Sequence, residues 1–177
     1  PDIMVELERE PFVDLLDAGC GPAPMISLLS EKYPEQHYTG LDLTPAMIEQ
    51  AQKKNIPNAT FVVGDCENFP FEDNSFDSII CSNSFHHYPN PQAFFDSVQR
   101  CLRPGGRLIL RDASSNNRLL LWFMDNIEVP LANLCGHGDV KIARRSVIEE
   151  CCQKAGLKVE SCEIRKGMRM HCVVRKV

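Results

Sequence analysis

Short apolar runs alternate with helix-like segments between residues 13 and 110, and this feature constrains the fold most strongly. The runs lie at 13–17, 38–42, 60–63, 76–81 and 108–110, and each has the length of a buried strand. Helical spacing begins at Met25, and cap-plus-proline pairs at Thr44-Pro45 and Asn90-Pro91 predict two further helices. The alternation predicts an α/β fold, a doubly wound and mostly parallel sheet with helices on both faces.

The C-terminal part of the chain has a different pattern. Ser146 and Glu149 have the spacing of a capping box, and Gly156 is placed to end the helix that they open. Two strand-like runs follow at 159–165 and 170–175, and they predict an antiparallel hairpin at the sheet edge. We therefore expect residues 1–177 to form a single domain with a seven-stranded sheet.

Composition and charge exclude several classes of protein. Hydrophobic residues make up 44% of the chain and charged residues 24%, which excludes a disordered, collagen-like or coiled-coil protein. The net charge of -5 offers no basic surface, so we expect no nucleic-acid partner. Every apolar run is shorter than the roughly 18 residues of a membrane span, so we expect no membrane partner either.

The sequence begins Pro1-Asp2-Ile3, without an initiator Met or an export signal. We expect a processed or trimmed N-terminus and a cytoplasmic protein. The nine cysteines are odd in number and contain no C-x-x-C pair, which predicts reduced, buried thiols rather than a disulfide framework or a zinc site. Cys135, His137 and Asp139 lie in a glycine-rich stretch that we interpret as a loop or hinge, and we expect no metal.

Acidic side chains stand at the ends of three successive predicted strands: Asp17, Asp42 and Asp65. Ligands of a doubly wound sheet bind beyond the carboxyl ends of its strands, so we expect these side chains to share one site. A carboxylate that ends the second strand can accept hydrogen bonds from two neighbouring ribose hydroxyls. The turn Gly19-Cys20-Gly21 lets the backbone approach such a ligand closely.

The residues around this turn distinguish two kinds of nucleotide ligand. A dinucleotide site needs a third glycine in the pattern G-x-G-x-x-G, and Pro24 stands in that place. Proline lacks the amide donor that a pyrophosphate would need. Asp17 would repel a phosphate and attract an ammonium group, so a cationic nucleoside is favoured. An NAD-dependent oxidoreductase remains the less favoured interpretation.

An ordered set of motifs resembles the class I S-adenosylmethionine-dependent methyltransferases, of the small-molecule type related to quinone-biosynthesis methyltransferases. The matching segments are 16–22, Gly40-Leu41-Asp42 with Met47, Gly64-Asp65-Cys66, 69–71, 75–77, Phe85-His86-His87 and 102–108. The resemblance covers about residues 12–112 and implies a Rossmann-like sheet. The turn departs from the family at Ala23, where glycine is usual, and an alanine is tolerated there if its φ is negative.

The resemblance implies S-adenosylmethionine as cofactor and a role for each matched residue. The 17–21 turn would hold the methionine moiety, with its ammonium near Asp17, and Asp42 would accept from both ribose hydroxyls. Leu43 and Met47 would pack beside the adenosine. Asp65 and the Cys66 amide would contact the adenine edge, and Ser82 would lie under the sulfonium. The implied cofactor-binding residues are Asp17, Gly19, Cys20, Gly21, Asp42, Leu43, Met47, Asp65, Cys66 and Ser82.

The resemblance also implies methyl transfer to a small-molecule acceptor. This displacement depends mainly on alignment, and it needs a base only if the acceptor must lose a proton. The candidate bases are His86, His87, Tyr88, Asp112, His137 and Asp139, none of them singled out, and for the two adjacent histidines we favour a packing or capping role. The segment Ser82-Asn83-Ser84-Phe85 lacks the Pro-Pro motif of base and glutamine methyltransferases, which favours a small acceptor.

Residues 119–124 are all large and apolar and include Trp122, the single tryptophan. We favour an ordinary buried helix here. The other interpretation is a lid over an apolar acceptor or the contact of a homodimer. A binding-only protein that acts as a scaffold or regulatory partner is the main alternative function. About eleven residues precede the first strand, and a missing N-terminal lid would leave the pocket open.

Overall fold

The computed structural model describes residues 2–134, 140 and 142–177. The strands are β1 (Asp14–Ala18), β2 (His37–Asp42), β3 (Ala59–Val63), β4 (Phe76–Ser82), β5 (Leu102–Ala113), β6 (Leu157–Arg165) and β7 (Arg169–Lys176). The α-helices are α1 (Asp2–Arg9), α2 (Pro24–Lys32), α3 (Pro45–Gln52), α4 (Pro91–Cys101), α5 (Arg118–Phe123), α6 (Val129–Leu134) and α7 (Arg145–Ala155). A 3₁₀ turn covers Phe85–His87, and a π-helical turn, Met124–Glu128, joins α5 to α6.

The strands form one seven-stranded sheet in the order β3-β2-β1-β4-β5-β7-β6. Strands β1 to β5 pair in parallel, and β7 is antiparallel to both of its neighbours. The predicted Rossmann-like sheet with its C-terminal antiparallel hairpin is therefore confirmed. The strand order reverses between β1 and β4, and a doubly wound sheet has its ligand crevice beyond the carboxyl ends at such a point.

Helices cover both faces of the sheet, because adjacent residues of a strand point to opposite sides. On one face Leu15 packs with Ile26 of α2 and Ile48 of α3. On the other face Leu16 packs with Phe94 of α4 and Ile148 of α7. Each fully buried side chain of this kind contributes about 1.5–3 kcal/mol. The two apolar layers hold the strand ends, and the polar residues on them, in fixed positions.

The helix starts agree only in part with the sequence signals. Asn90 accepts a hydrogen bond from the Ala93 amide at 3.3 Å, so the predicted cap of α4 is confirmed. The predicted capping box is wrong, because α7 begins at Arg145 and Ser146 lies inside the helix. Glu149 accepts instead from the Arg145 guanidinium at 2.7 Å. The start of α7 therefore has no side-chain cap and carries an exposed ion pair between residues four apart.

Helix α1 has no counterpart among the predicted elements. It buries Ile3 and Leu7 against the same face of the sheet as α2 and α3. The buried guanidinium of Arg107 donates to the carbonyl oxygens of Leu7 and Glu10, at 3.3 and 2.6 Å. Helix α1 is too short to be stable alone, so its contacts with the sheet and with Arg107 stabilise it.

The expectation of reduced cysteines throughout is wrong at one pair. Cys162 of β6 and Cys172 of β7 lie opposite each other in the hairpin register and form a disulfide. Adjacent antiparallel strands bring side chains within bonding distance whatever the total number of cysteines. The other described cysteines are free and buried: Cys20, Cys66, Cys81, Cys101, Cys151 and Cys152. The predicted loop or hinge at Cys135, His137 and Asp139 lies outside the described residues.

The prediction of a buried helix at 119–124 is also wrong. The side chain of Trp122 is 59% exposed, and each residue of α5 is at least partly exposed. Its partly buried residues Leu120 and Leu121 pack against a small cluster formed by Met124, Val129 and Ile142. In the part of the chain that the structure describes, no helix has the length and apolar character to cross a bilayer.

Candidate functional site

A cleft of about 630 Å³ lies at the carboxyl edge of the sheet. It is formed by the segments that follow β1, β2, β3 and β4. Its lining residues are Gly19, Asp42, Leu43, Thr44, Met47, Asp65, Cys66, Glu67, Ser84, His87, Tyr88 and Pro89. Six of the residues predicted from the sequence meet in this cleft: Gly19, Asp42, Leu43, Met47, Asp65 and Cys66.

The turn after β1 forms the floor of the cleft. The amides of Gly19 and Cys20 both donate to the carbonyl oxygen of Leu41, at 2.8 and 2.9 Å, and so fix the turn against β2. Gly19 has a φ of +75°, which favours glycine. A Cβ at this position would lie 1.8 Å from the hydroxyl oxygen of Ser84, so close packing also requires glycine here.

Ala23 does not meet the condition of a negative φ in this turn. Its φ is +56°, not negative, at the residue that precedes α2. This left-handed conformation costs an L residue roughly 1–2 kcal/mol. Ala23 is fully buried, and its amide donates to the Cys20 carbonyl at 2.9 Å. The tertiary contacts of the turn therefore hold an alanine in a conformation in which glycine is usual.

Asp42 links the first two segments of the cleft. One carboxylate oxygen accepts from the Gly21 amide at 2.8 Å, and the other accepts from the Thr44 amide at 2.9 Å. An ionised carboxylate can accept about four hydrogen bonds, so each oxygen keeps capacity for a further donor. Asp42 can therefore organise the turn and still accept hydrogen bonds from a ligand.

Asp17 lies next to the cleft rather than in its lining. Its side chain is buried, with 2% of the residue exposed. Burial, together with the negative charge of Asp42, raises the pKa of Asp17 to about 7. A cation bound beside these two carboxylates would offset both effects. The pair thus provides a suitable environment for an ammonium group.

At the far end of the cleft, Asp65 accepts a hydrogen bond from the Glu67 amide at 2.8 Å. Cys66 is buried, and burial raises the pKa of its thiol to about 12. Cys66 is therefore a thiol rather than a nucleophilic thiolate at neutral pH. Leu43 is 69% exposed and, with Met47, provides an apolar wall. This end suits a flat, uncharged ring with polar edges.

Three predicted residues have other positions. Cys20 is buried on the other side of the turn, where its sulfur would lie 2.8 Å from a Cβ built at Gly40. Gly21 is not among the lining residues, and its amide donates to Asp42 at 2.8 Å. Ser82 is not among the lining residues, and its hydroxyl lies 3.5 Å from the guanidinium of Arg111, so its predicted place under the sulfonium stays a prediction.

Ser84, two residues further along the chain, lines the cleft. Its hydroxyl lies 2.8 Å from the hydroxyl of Tyr88, which in turn donates to the Ala18 carbonyl at 3.4 Å. Burial raises the pKa of Tyr88, so this phenol is neutral. The lining also includes His87 and Tyr88, two of the candidate bases. The lining residues that the sequence reasoning did not place there are Thr44, Glu67, Ser84 and Pro89. The signal for Ser84 is its four-residue spacing from Tyr88 around the 3₁₀ turn.

Beside the cleft, His86 and Asp112 form a hydrogen-bonded pair. Asp112, near the end of β5, is fully buried, and its Oδ1 lies 2.7 Å from Nδ1 of His86. Its Oδ2 accepts from the His86 backbone amide at 3.0 Å. The His86 ring lies 4.1 Å, between centroids, from the ring of His87 in the cleft wall. The remaining candidate bases, His137 and Asp139, lie outside the described residues.

These observations define a class of protein: an α/β protein with a nucleoside-sized cleft, acidic at the β1–β2 end. The sequence model of the methyltransferase domain family matches residues 16–110. The chain belongs to this family, and its resemblance to class I S-adenosylmethionine-dependent methyltransferases is confirmed.

Two curated relatives match about two thirds of the chain. It is 40% identical over 121 residues to phthiotriol/phenolphthiotriol dimycocerosates methyltransferase 1 of Mycobacterium ulcerans, covering 68% of this chain and 45% of the relative. It is 35% identical over 121 residues to the fatty-acid O-methyltransferase of Mycolicibacterium smegmatis, covering 68% and 44%. The chain spans less than half the length of these relatives.

A solved structure of a putative methyltransferase from Bacillus halodurans has the same fold. The TM-score is 0.80 at 17% sequence identity, and the match covers 99% of each chain. A SAM-dependent methyltransferase from Aquifex aeolicus matches with a TM-score of 0.77 at 18% identity, covering 99% of this chain and 89% of the other.

Proposed function

We propose that the chain binds S-adenosylmethionine in the cleft and transfers a methyl group to a small-molecule acceptor. The observation that carries the proposal is the meeting of Gly19, Asp42 and Asp65 in one cleft at the reversal of strand order. These residues come from three separate segments of the chain. Family membership and the methyltransferase names of the relatives support the same function.

The proposed roles follow the chemistry of the cleft. Asp42 accepts hydrogen bonds from the ribose hydroxyls, using the acceptor capacity that its backbone contacts leave. Asp17 faces the ammonium group, which offsets the burial of two neighbouring carboxylates. Leu43 and Met47 pack against the adenosine, and Asp65 with the Cys66 amide contacts the adenine edge. Gly19 keeps the floor of the cleft open.

S-adenosylmethionine supplies a methyl carbon already activated by the adjoining sulfonium. The chain's own residues therefore act by holding and aligning the reactants. The Ser84–Tyr88 pair and the Gly19 turn make a close-packed floor on which the ligand is held in one orientation.

We propose an apolar acceptor. The relatives are named for fatty acids and for phthiotriol dimycocerosates, both rich in hydrocarbon. In this chain Trp122 and Phe123 present exposed apolar surface, 59% and 47% exposed, close in sequence to β5. A lid over such an acceptor, or the contact of a homodimer, accounts for this exposure.

Calorimetric titration with S-adenosylhomocysteine tests the cofactor proposal. The wild-type chain should bind it, and Asp42→Asn should raise the Kd at least about tenfold because charge-assisted hydrogen bonds are weakened. Glu35→Gln is the matched control, since Glu35 is an exposed carboxylate outside the cleft, and its Kd should equal that of the wild type. Absence of binding to folded wild-type chain would exclude the cofactor role.

Turnover with a panel of apolar acceptors tests the enzymatic part. Methyl transfer to any of them supports an enzyme, whereas tight cofactor binding with no transfer favours the binding-only alternative. A fluorescence titration with NADH tests the oxidoreductase alternative, and we expect no change in signal.

A further inference from the structure

We propose that Arg111 binds the carboxylate of a long-chain carboxylic acid, and that this carboxylate is the methyl acceptor. Arg111 belongs to β5 and lies outside the lining of the cofactor cleft. The inference rests on the proposed methyltransferase function, and it names the reacting group of the apolar acceptor at the same site.

Arg111 differs from the other arginines in the part of the chain that the structure describes, because its guanidinium has no acidic or carbonyl partner. Its Nη1 lies 3.5 Å from the hydroxyl oxygen of Ser82, longer than an ordinary hydrogen bond, and its Nε is buried without a partner. Every other described arginine that is at least partly buried donates to a carboxylate or a backbone carbonyl oxygen, as Arg107 does. A partly buried guanidinium without such a partner is costly, so Arg111 is suited to a ligand that brings an anion.

The acidic side chains near Arg111 are paired with other arginines. His171 is opposite Arg111 in the register of β5 and β7, and Glu163 is opposite His171 in the register of β7 and β6. Glu163 accepts from the guanidinium of Arg165 at 2.8 Å. Glu6 of α1, whose carboxylate lies 3.8 Å from His171, accepts from an arginine of its own helix at 3.2 Å. Burial lowers the pKa of His171, so this imidazole is neutral at pH 7. None of these groups therefore pairs with Arg111.

Arg111 lies at the end of the sheet where the cofactor cleft opens. Its neighbour in the register of β4 and β5 is Ser82, the residue that we expect under the sulfonium. Asp17, proposed for the ammonium group, is in register with Ile80, two residues before Ser82, and faces the same side of the sheet. Two residues of a strand span about 6.6 Å. The guanidinium is thus close to the position proposed for the methyl group of the cofactor.

An apolar surface continues from Arg111 toward the exposed helix α5. Ala113 follows Arg111 by two residues on β5, so both side chains face the same side of the sheet. Ala113, Leu120 and Leu121 are partly buried and pack against the small cluster that contains Met124. The exposed apolar side chains of α5 are next to them along the chain. This arrangement fits a ligand with an anionic head and a hydrocarbon chain.

The charge of a carboxylate also fits the reaction. A carboxylic acid, with a pKa near 4, is ionised at neutral pH, so it needs no general base. One carboxylate oxygen forms a bond to the methyl carbon, the carbon–sulfur bond breaks, and the electron pair of that bond stays on sulfur. The other oxygen remains beside the Arg111 guanidinium. The products are an uncharged methyl ester and S-adenosylhomocysteine, and the loss of charge weakens the contact of the ester with Arg111 and favours its release.

Dodecanoate and dodecanol have the same hydrocarbon chain length and differ in charge, so together they test the inference. We would measure both Kd values by calorimetry, with S-adenosylhomocysteine bound, for the wild type, Arg111→Gln and Arg118→Gln. The wild type should bind dodecanoate at least about tenfold more tightly than dodecanol, and Arg111→Gln should remove most of this difference. Arg118→Gln is the matched control, since Arg118 is exposed at the start of α5, and its Kd values should equal those of the wild type.

Three results of this titration would overturn the inference. They are equal binding of the two compounds by the wild type, binding of neither compound, and an unchanged preference for dodecanoate in Arg111→Gln. The same loss of preference in Arg118→Gln would also overturn it, because any nearby positive charge would then have the effect of Arg111.

The cofactor has a carboxylate of its own, and its affinity distinguishes the two sources. S-adenosylhomocysteine should bind Arg111→Gln with the wild-type Kd, because Arg111 is assigned to the acceptor. A higher Kd in this variant would place Arg111 at the carboxylate of the cofactor and would overturn the inference. Absence of S-adenosylhomocysteine binding to the folded wild type would instead refute the proposed function.

Turnover tests whether the bound carboxylate is the methyl acceptor. The wild type should convert dodecanoate to its methyl ester, and Arg111→Gln should raise the KM for dodecanoate at least about tenfold. Arg111→Lys keeps the charge but not the planar guanidinium, so it should restore part of the affinity. Binding of dodecanoate without formation of the ester would show that the carboxylate is not the acceptor.

Stability and NMR separate ligand binding from a structural role of Arg111. The free energy of unfolding of Arg111→Gln, measured with urea, should be no lower than that of the wild type, because the variant removes an unpaired charge. A clear loss of stability would show that the guanidinium has a partner within the fold. Carbon-13 NMR of carboxyl-labelled dodecanoate should give a lower pKa for the acid bound to the wild type than for the acid bound to Arg111→Gln. The same pKa in both complexes would contradict the contact.

Discussion

Gly19 and Ser84 come from the two halves of the sheet and meet at the floor of the cleft. They are so close that a Cβ added at Gly19 would lie 1.8 Å from the hydroxyl oxygen of Ser84. Gly19 follows β1 and Ser84 follows β4, the strands between which the order reverses. The hydroxyl of Tyr88 lies 2.8 Å from that of Ser84. Any side chain at position 19 must therefore displace the floor of the cleft.

Gly19→Ala should lower both the free energy of unfolding and the affinity for S-adenosylhomocysteine. Gly21→Ala is the matched control, because Gly21 also has a positive φ, +53°, but a Cβ there meets nothing within 4 Å. The control should cost about 1–2 kcal/mol from the backbone alone. Gly19→Ala should cost more and should weaken binding at least about tenfold. Urea denaturation measures the free energy of unfolding, and calorimetry measures the affinity for S-adenosylhomocysteine. Equal losses in Gly19→Ala and Gly21→Ala would contradict the close contact between Gly19 and Ser84.

Ligand binding should release a proton from Asp17. The pKa of Asp17 is raised to about 7 by burial and by the charge of Asp42, so at pH 6.5 a large share of the carboxyl groups is protonated. A bound ammonium group favours the ionised form. Calorimetric titration in buffers of different ionisation enthalpy should show proton release at pH 6.5, much less at pH 8, and none from this group in Asp17→Asn. If Asp17→Asn released as many protons on binding as the wild type, the released proton would come from another group.

The position of the carboxylates could be predicted because it depends on strand ends alone. Asp42 and Asp65 follow parallel strands whose apolar runs are evident in the sequence, and parallel strands end at one edge. Ser82 and Ser84 show the limit of this reasoning. Both stand near the end of β4, but the left-handed Asn83 between them turns the chain, and only Ser84 lines the cleft. Apolar runs do not fix such a turn.

The His86–Asp112 pair and the Cys162–Cys172 disulfide depend on contacts between distant residues. Strand β5 continues to Ala113, three residues beyond the apolar run at 108–110, and this extension carries Asp112 to the turn after β4. The disulfide depends on the register of the hairpin. No single segment of sequence contains either relationship, because pairing across the sheet determines both.

Asp17 should also make the stability of the free chain depend on pH. Its pKa rises from an ordinary 3.8 to about 7 on folding, so between about pH 4 and pH 7 the folded chain holds a proton that the unfolded chain has lost. The contribution of Asp17 to stability therefore falls as the pH rises through this window, by up to about 1.4 kcal/mol per pH unit. Urea denaturation should show that the free energy of unfolding of Asp17→Asn rises relative to that of the wild type between pH 5 and pH 8, whereas that of Glu35→Gln follows the wild type. The same pH dependence in all three proteins would contradict the raised pKa of Asp17.

The exposed apolar helix should contribute to acceptor binding and little to stability. Trp122→Gln should change the free energy of unfolding by less than about 0.5 kcal/mol, because the Trp122 side chain is 59% exposed. Phe94→Ala, a fully buried control in α4, should cost about 3–5 kcal/mol. If Trp122 covers an apolar acceptor, Trp122→Gln should raise the KM for a long-chain acceptor several-fold and leave the Kd for S-adenosylhomocysteine unchanged. A large loss of stability in Trp122→Gln would show instead that the side chain packs into a core, as its sequence alone predicts.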